Sequence, residues 1–222
     1  MKIVLINASH RKNGATAKIL NEFAEQIKSY GDADISLFHL SDLEINFCKG
    51  CCGCYKTGKC FLKDDCEMLS QKIAEADGLI IGTPNYVSNV SGQLKTFVDR
   101  GHFVIEQLLK GKYTVGVVTY ENAEGGAAFK VLKKLFVFSG AKTTDKLIVK
   151  LPFNSGPSEK VKYAVKNKAK KMYKSILNKA PASLKNKIVH FFVFNFGIRP
   201  FVLKKGKSYD GVFMHWKNRG IV

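Results

Sequence analysis

Five short strand-like stretches, each followed by a segment of helical period, constrain this chain more than any other feature of its sequence. Lys2 to Asn7 is a continuous apolar run of the kind buried on both faces of a parallel sheet. A helix is predicted from about Ala17 to Tyr30, with Ile19, Leu20, Phe23 and Ile27 on one side. The pattern repeats with strands at Asp34–Leu40, Gly78–Gly82, Tyr113–Thr119 and Lys146–Leu151. Helices are predicted at Asp65–Ala76, Ser91–Arg100, Ala127–Phe138 and Glu159–Asn178, the first opened by acids that suit its positive end. Alternation of this kind implies right-handed crossovers and a parallel sheet covered on both sides. The expected body is an α/β, doubly wound, five-stranded domain over residues 1–153, followed by a basic, aromatic extension over 159–222.

In such a sheet ligands sit beyond the carboxyl ends of the strands, where strand order reverses. Three loops leave those ends with suitable chemistry. Ser9 to Thr16 offers hydroxyls, a guanidinium and free amides at a helix N-terminus, which suits a phosphate; an N-cap in a solvated basic loop is the plainer alternative. It contains neither G-x-G-x-x-G nor G-x-x-x-x-G-K-[ST], which excludes the dinucleotide and triphosphate fingerprints. Gly82 to Val90 carries Pro84 and Tyr86, an extended backbone and a stacking face for a flat heterocycle, or else a turn capped by Ser91. Thr119 to Gly126 ends in glycines before a helix and lines the same crevice in this reading.

All six cysteines fall between Cys48 and Cys66, and four follow Cys48-x2-Cys51-x2-Cys54-x5-Cys60. Closely spaced thiolates of this kind wrap an inorganic cluster, and Gly50 and Gly53 permit tight backbone turns between them. Zinc normally takes two separated pairs, and a redox dithiol at Cys51 and Cys54 lacks the expected helix start; both stay open, as do structural thiols. No regular element is predicted from Ser41 to Lys63, and a loop that long in a compact domain calls for a functional reason.

The net charge of +18 is uneven: residues 159–222 hold 16 Lys and Arg against 2 Asp and Glu, so the first 158 residues carry only +4. Val161, Val165, Ala169, Met172 and Ile176 form one helical stripe, predicted to pack on the body or on another subunit. Phe191, Phe192, Phe194, Phe196 and Phe201 then need burial somewhere, with a membrane surface as one candidate. Charge alone attracts nucleic acid non-specifically, and no recognised module accompanies it, so that partner is not expected. The N-terminal apolar run is too short for a signal peptide and no run is long enough to span a bilayer, so the expected location is cytoplasmic. Asp99-Arg100 reads as a structural pair or cap, and none of the five histidines is given a catalytic role.

Ser9 through Thr16, Gly82-Thr83-Pro84-Asn85-Tyr86 and Gln93 through Arg100 together resemble the flavodoxin-like NAD(P)H-dependent FMN reductase superfamily. The cysteine spacing after the second strand is similar to its iron–sulfur flavoprotein branch. The resemblance implies FMN, with Ser9, Arg11, Asn13 and Thr16 around its phosphate and Pro84, Asn85 and Tyr86 beside the isoalloxazine. Val87, Ser88, Tyr120 and Gly125 join the expected cofactor-binding set. It also implies a 4Fe-4S cluster on Cys48, Cys51, Cys54 and Cys60, with Cys52 and Cys66 outside the pattern, and a homodimer or homotetramer. The expected function is an FMN-dependent oxidoreductase relaying electrons through the cluster, with NAD(P)H or a ferredoxin-type protein as donor. The alternatives are a cluster-free NAD(P)H-dependent FMN or quinone reductase, and a flavodoxin-like carrier or docking protein.

Overall fold

The apolar run at the start of the chain becomes β1 (Lys2–Asn7), with Ile3, Val4, Leu5 and Ile6 all buried. The computed structural model describes residues 1–222 apart from Ala123, in the third loop, and Phe153, the last residue assigned to the body. β2 (Asp34–His39), β3 (Gly78–Pro84), β4 (Tyr113–Tyr120) and β5 (Thr143–Lys150) complete one sheet in the order β2-β1-β3-β4-β5, every pairing parallel. Both faces are covered, as a parallel sheet requires. α1 (Ala15–Lys28) and α6 (Glu159–Leu177) lie on one face, where Phe23, Ile27, Val165, Ala169 and Met172 pack with Leu5, Ile80 and Val115. α3 (Asp65–Glu75), α4 (Gly92–Arg100) and α5 (Gly125–Phe138) lie on the other, where Leu69, Ile73, Leu94, Phe97 and Phe136 pack with Val4, Ile6 and Leu79. The expected α/β doubly wound, flavodoxin-like arrangement is the one found.

Differences from expectation lie at element ends and in the cysteine segment. β5 begins at Thr143 rather than Lys146, because its polar first residues pair by backbone with β4 from Tyr113↔Thr143 onward, a bond that hydropathy does not reveal. β3 continues through Thr83 and Pro84, and α5 starts two residues early, at Gly125. The segment expected to lack regular structure contains a one-turn helix, α2 (Gly53–Thr57), entered through Cys52 at a φ of 57° and left through Gly58 at 77°.

After α6 the basic tail folds into helices that hydropathy had not resolved. α7 (Leu184–Phe192), a π-helical turn (Val193–Ile198) and α8 (Arg199–Lys205) run without a break, and α9 (Asp210–Asn218) follows a 3-10 turn. Pro200 has no N–H to return to the preceding turn, and the helix loosens to π geometry just ahead of it. Phe194, Ile198, Val202, Tyr209, Val212 and Trp216 build a third small core, against Tyr55 of α2 and Ile105. The Trp216 indole N–H donates to Ile105 O at 2.8 Å. α9 approaches the end of α2 so closely that a Cβ on Gly211 would lie 2.1 Å from Gly58 N, so only glycine permits the docking.

Of the five phenylalanines that the sequence argument required to be buried, Phe194 is buried and the other four remain exposed. Trp216→Ala removes the centre of the third core and leaves Ile105 O unpaired. Its expected cost is about 3–5 kcal/mol, read as a lower urea midpoint. A change below about 1 kcal/mol would mean that the extension unfolds separately from the body.

Candidate functional site

The sheet order reverses between β1 and β3, and the loops that leave their carboxyl ends meet there. Ser9, Arg11, Thr16, Pro84, Asn85, Tyr86 and Tyr120 line one crevice, together with Gly14, Ala15, Thr119 and Leu151. Backbone and side-chain bonds hold the loops in register. Asn7 Nδ2 donates to Ser9 O and Ser9 N–H returns to Asn7 Oδ1, each at 3.2 Å. The Ser91 hydroxyl donates to Ala8 O at 2.7 Å and accepts from Leu94 N–H, so one residue caps α4 and pins the first loop. Asn85 N–H donates to Thr119 O at 2.8 Å, and the Thr16 and Thr119 hydroxyls share a buried hydrogen bond of 2.7 Å.

The start of α1 has no side-chain cap and no acidic residue in its first turn, so its amides and positive dipole end face the crevice, beside Arg11. Those features suit a phosphate monoester such as that of FMN. The linker reaches back over this end: the Arg11 guanidinium donates to Asn154 Oδ1 at 3.4 Å and Lys18 Nζ to Asn154 O at 2.9 Å.

Not every expected residue enters the wall. Asn13 is exposed and outside it. Val87 and Ser88, both at positive φ, form a tight turn closed by mutual hydrogen bonds between Tyr86 and Asn89, with Val87 fully exposed. Ser88 donates to the Glu124 carboxylate, joining the second loop to the third. Gly125 is buried against the Tyr120 ring, which a Cβ there would overlap at 2.5 Å. Gly14, Ala15, Thr119 and Leu151 are lining residues that the candidate set omitted; the sequence signal for Thr119 was its place at the end of a buried strand.

The cysteine segment is held from below by an ion pair. Arg100, at the end of α4, pairs with Asp64 through Nη1 and Nη2 of its guanidinium, with side-chain exposures of 2% and 0%. It also donates to Asn46 O at 3.0 Å and to Cys60 Sγ at 3.5 Å. Asp64 caps α3 by accepting from Cys66 N–H and also accepts from Asn46 N–H, so one carboxylate closes both ends of the loop. Burial pushes the Asp64 pKa up, but the bonds from Arg100, Asn46 and Cys66 outweigh it and hold the group down at about 2. The expected Asp99-Arg100 pair is not formed: Asp99 pairs with Lys95 at 2.6 Å, and Arg100 turns inward.

Cys48, Cys51 and Cys52 are exposed, Cys54 and Cys60 half-buried, and Cys66 sits in the core, where burial pushes its thiol up to about 12. Among the described residues no three His, Cys, Asp or Glu side chains stand close enough together to hold a metal ion. The donor chemistry of the four spaced thiols suits soft iron or zinc, but the side chains are not gathered around one centre. His102, given no role from the sequence, lies beside Cys54 and bonds to Glu106 at 2.7 Å; burial opposes its protonation, but Cys54 and Glu106 raise it to about 10. Tyr55 stacks on Tyr209 with ring centroids 4.8 Å apart, which ties the cysteine helix to the extension.

Fold and crevice together define a flavodoxin-like flavoprotein. The profile of the NADPH-dependent FMN reductase family matches residues 1–154. An iron–sulfur flavoprotein of Clostridioides difficile is 36% identical over the full length of both chains, and one of Archaeoglobus fulgidus is 35% identical over 70% of this chain and 77% of its own. An NADH:FMN oxidoreductase in apo form superposes with a TM-score of 0.60 at 19% identity, covering 78% of this chain and 89% of that one. The chain belongs to the NADPH-dependent FMN reductase family, in its iron–sulfur flavoprotein branch, and is a flavin-dependent oxidoreductase.

The Arg100 brace makes a prediction. Arg100→Leu strands a buried carboxylate and is expected to cost about 3–5 kcal/mol in urea unfolding. The Asp64 contribution is complete above its unfolded pKa near 3.8 and is lost as pH falls toward about 2. The stability gap between the unmodified protein and Asp64→Asn should therefore narrow over that interval, and a gap independent of pH would remove Asp64 from the brace.

Proposed function

We propose that the crevice between β1 and β3 binds FMN and that Cys48, Cys51, Cys54 and Cys60 hold an iron–sulfur group, so that the protein relays electrons between two kinds of partner. The observation that carries the flavin assignment is the uncapped N-terminus of α1, with Arg11 beside it, opening into a crevice walled by three loops. Ser9, Arg11, Thr16 and the first amides of α1 take the phosphate. Pro84, Asn85 and Tyr86 border the ring system, with Tyr120 and Gly125 shaping the far wall. Asn13, Val87 and Ser88 serve the rim: the turn at Val87 and Ser88 fixes where Tyr86 stands, and Glu124 fixes the turn.

Bound FMN exchanges one or two electrons and an iron–sulfur group exchanges one, so a protein holding both can connect two-electron and one-electron partners. No side-chain acid or base is required of the chain itself; its residues bind, orient and shield. The cluster assignment, 4Fe-4S by resemblance to the iron–sulfur flavoprotein branch, is supported by the spacing of the four thiols and by the names of the C. difficile and A. fulgidus relatives. Cys48, Cys51, Cys54 and Cys60 would have to converge to hold the group, and the exposed Cys48 and Cys51 leave room for that while the Arg100–Asp64 pair holds the base of the loop. NAD(P)H or a ferredoxin-type protein supplies the electrons. A homodimer or homotetramer is the proposed assembly, supported by Tyr86 and Val87, which project from the rim where a second copy would cover the flavin.

Two measurements test this. Arg11→Glu removes a charge-assisted phosphate contact and adds repulsion, so FMN should bind roughly 10- to 100-fold more weakly in a fluorescence titration. Unchanged affinity would take Arg11 out of the site. After anaerobic reconstitution, Ser at any of the four spaced cysteines should lower iron and sulfide together and leave FMN bound, whereas Cys52→Ser and Cys66→Ser keep all three. Uptake of no sulfide by the unmodified protein would leave the cluster-free NAD(P)H-dependent flavin reductase as the function.

A further inference from the structure

The unbroken helix from Leu184 to Lys205 presents two apolar sides, and the body occupies only one of them. Its inward stripe is Asn186, His190, Phe194, Ile198 and Val202. His190 bonds to Gln107 Oε1 at 2.6 Å and stacks on Phe194; burial, and then the charge of Lys110, hold it neutral, with a pKa of about 4. The outward side carries Ile188, Phe191, Phe192 and Phe196 at exposures of 48%, 54%, 58% and 71%. The three phenylalanine rings form one cluster, with centroids 5.6, 5.7 and 6.2 Å apart. Surface helices place polar groups on that side, and an exposed ring cluster of this kind marks a surface that is covered by something else.

The charges around the cluster say what covers it. Nothing between Lys187 and Arg199 carries a formal charge, while Lys185 and Lys187 precede the apolar stretch and Arg199, Lys204, Lys205 and Lys207 follow it. Across residues 184–222 there are eight Lys and Arg and a single acid, Asp210. A second copy seated face to face would bring two such cationic segments together. An acidic protein would match the charge but would also need a socket for three protruding rings. A bilayer interface accepts rings without a matched shape and supplies the anions.

We infer that the outward face of residues 184–205 docks on the headgroup layer of an anionic lipid bilayer, with Phe191, Phe192 and Phe196 inserted and the basic ends on the lipid phosphates. The helix lies in the plane of the surface, because Phe194, Ile198, Val202 and Trp216 fasten its other side to the body. It does not cross: among the described residues no helix is long and apolar enough to span a membrane. α6 takes no part, since its apolar stripe is used up in the core under the sheet. Phe191, Phe192 and Phe196 thus gain their burial outside the chain.

The test is co-sedimentation of the full-length protein with vesicles of phosphatidylcholine alone or mixed with phosphatidylglycerol, at low and high salt. The expected result is binding to the mixed vesicles only, weakened by salt. The triple variant Phe191→Ser, Phe192→Ser, Phe196→Ser should bind at least about tenfold more weakly, by loss of inserted apolar area. Lys187→Glu with Lys204→Glu and Lys205→Glu should lose roughly fivefold or more per charge. All six positions are exposed, so both variants should keep the circular dichroism and FMN content of the unmodified protein. Absence of binding to mixed vesicles, equal binding to neutral ones, or full binding by the triple serine variant would overturn the inference. So would loss of the native oligomer in that variant by analytical ultracentrifugation, which would assign the face to a second copy. Binding to an acidic polypeptide such as polyglutamate without any to vesicles would assign it to a protein partner.

Discussion

A sheet whose strands all run one way leaves every connection to return from the carboxyl end of one strand to the amino end of the next, and both faces must be covered by what crosses. In this protein that requirement reaches into the basic tail. α6 supplies Val165, Ala169, Met172 and Ile176 to the same core as α1, beneath β1, β3 and β4. Gly78 leaves room there for Met172, whose terminal methyl would be 2.4 Å from a Cβ at that position. The same one-way arrangement puts all the strand carboxyl ends on one side, so loops that are far apart in sequence arrive at one crevice without contacts of their own choosing. The hydrogen bonds among Ala8, Ser91, Asn85 and Thr119 then trim a meeting that the topology has already arranged.

The cysteine segment depends on a different device. It contributes little to the two main cores and is held by its margins: Asp64 and Arg100 on the body side, Tyr55, Gly58 and His215 on the extension side. A buried ion pair adds little net stability compared with apolar packing, but it fixes geometry strictly because neither charge can be left alone. The base of the loop is thereby fixed while Cys48, Cys51 and Cys52 stay exposed. The extension closes the other margin through the contact of Gly211 with Gly58, and so the tail that carries the exposed aromatic face also abuts the candidate metal loop.

Periodicity and residue type determined much of this protein. The apolar runs had to be strands buried on both faces, and the helical stripes of α1 and α6 had to face them, because the transfer of those side chains from water dominates any other term. The residue types of the Ser9–Thr16 loop and the spacing of four cysteines pointed to phosphate and thiolate–metal chemistry, because those ligands accept few kinds of partner, but they left plainer alternatives open. Tertiary structure decided which of these residues meet. It placed Thr119 in the crevice wall and Asn13 outside it, and it turned Arg100 from its sequence neighbour Asp99 to Asp64, 36 residues away. It also left Phe191, Phe192, Phe196 and Phe201 in solvent while burying Phe194 among them. Hydropathy is a property of a residue, but burial depends on which side of a helix another element reaches. Ion pairs depend likewise on where a buried charge finds its counter-charge, and neither is written in the local sequence.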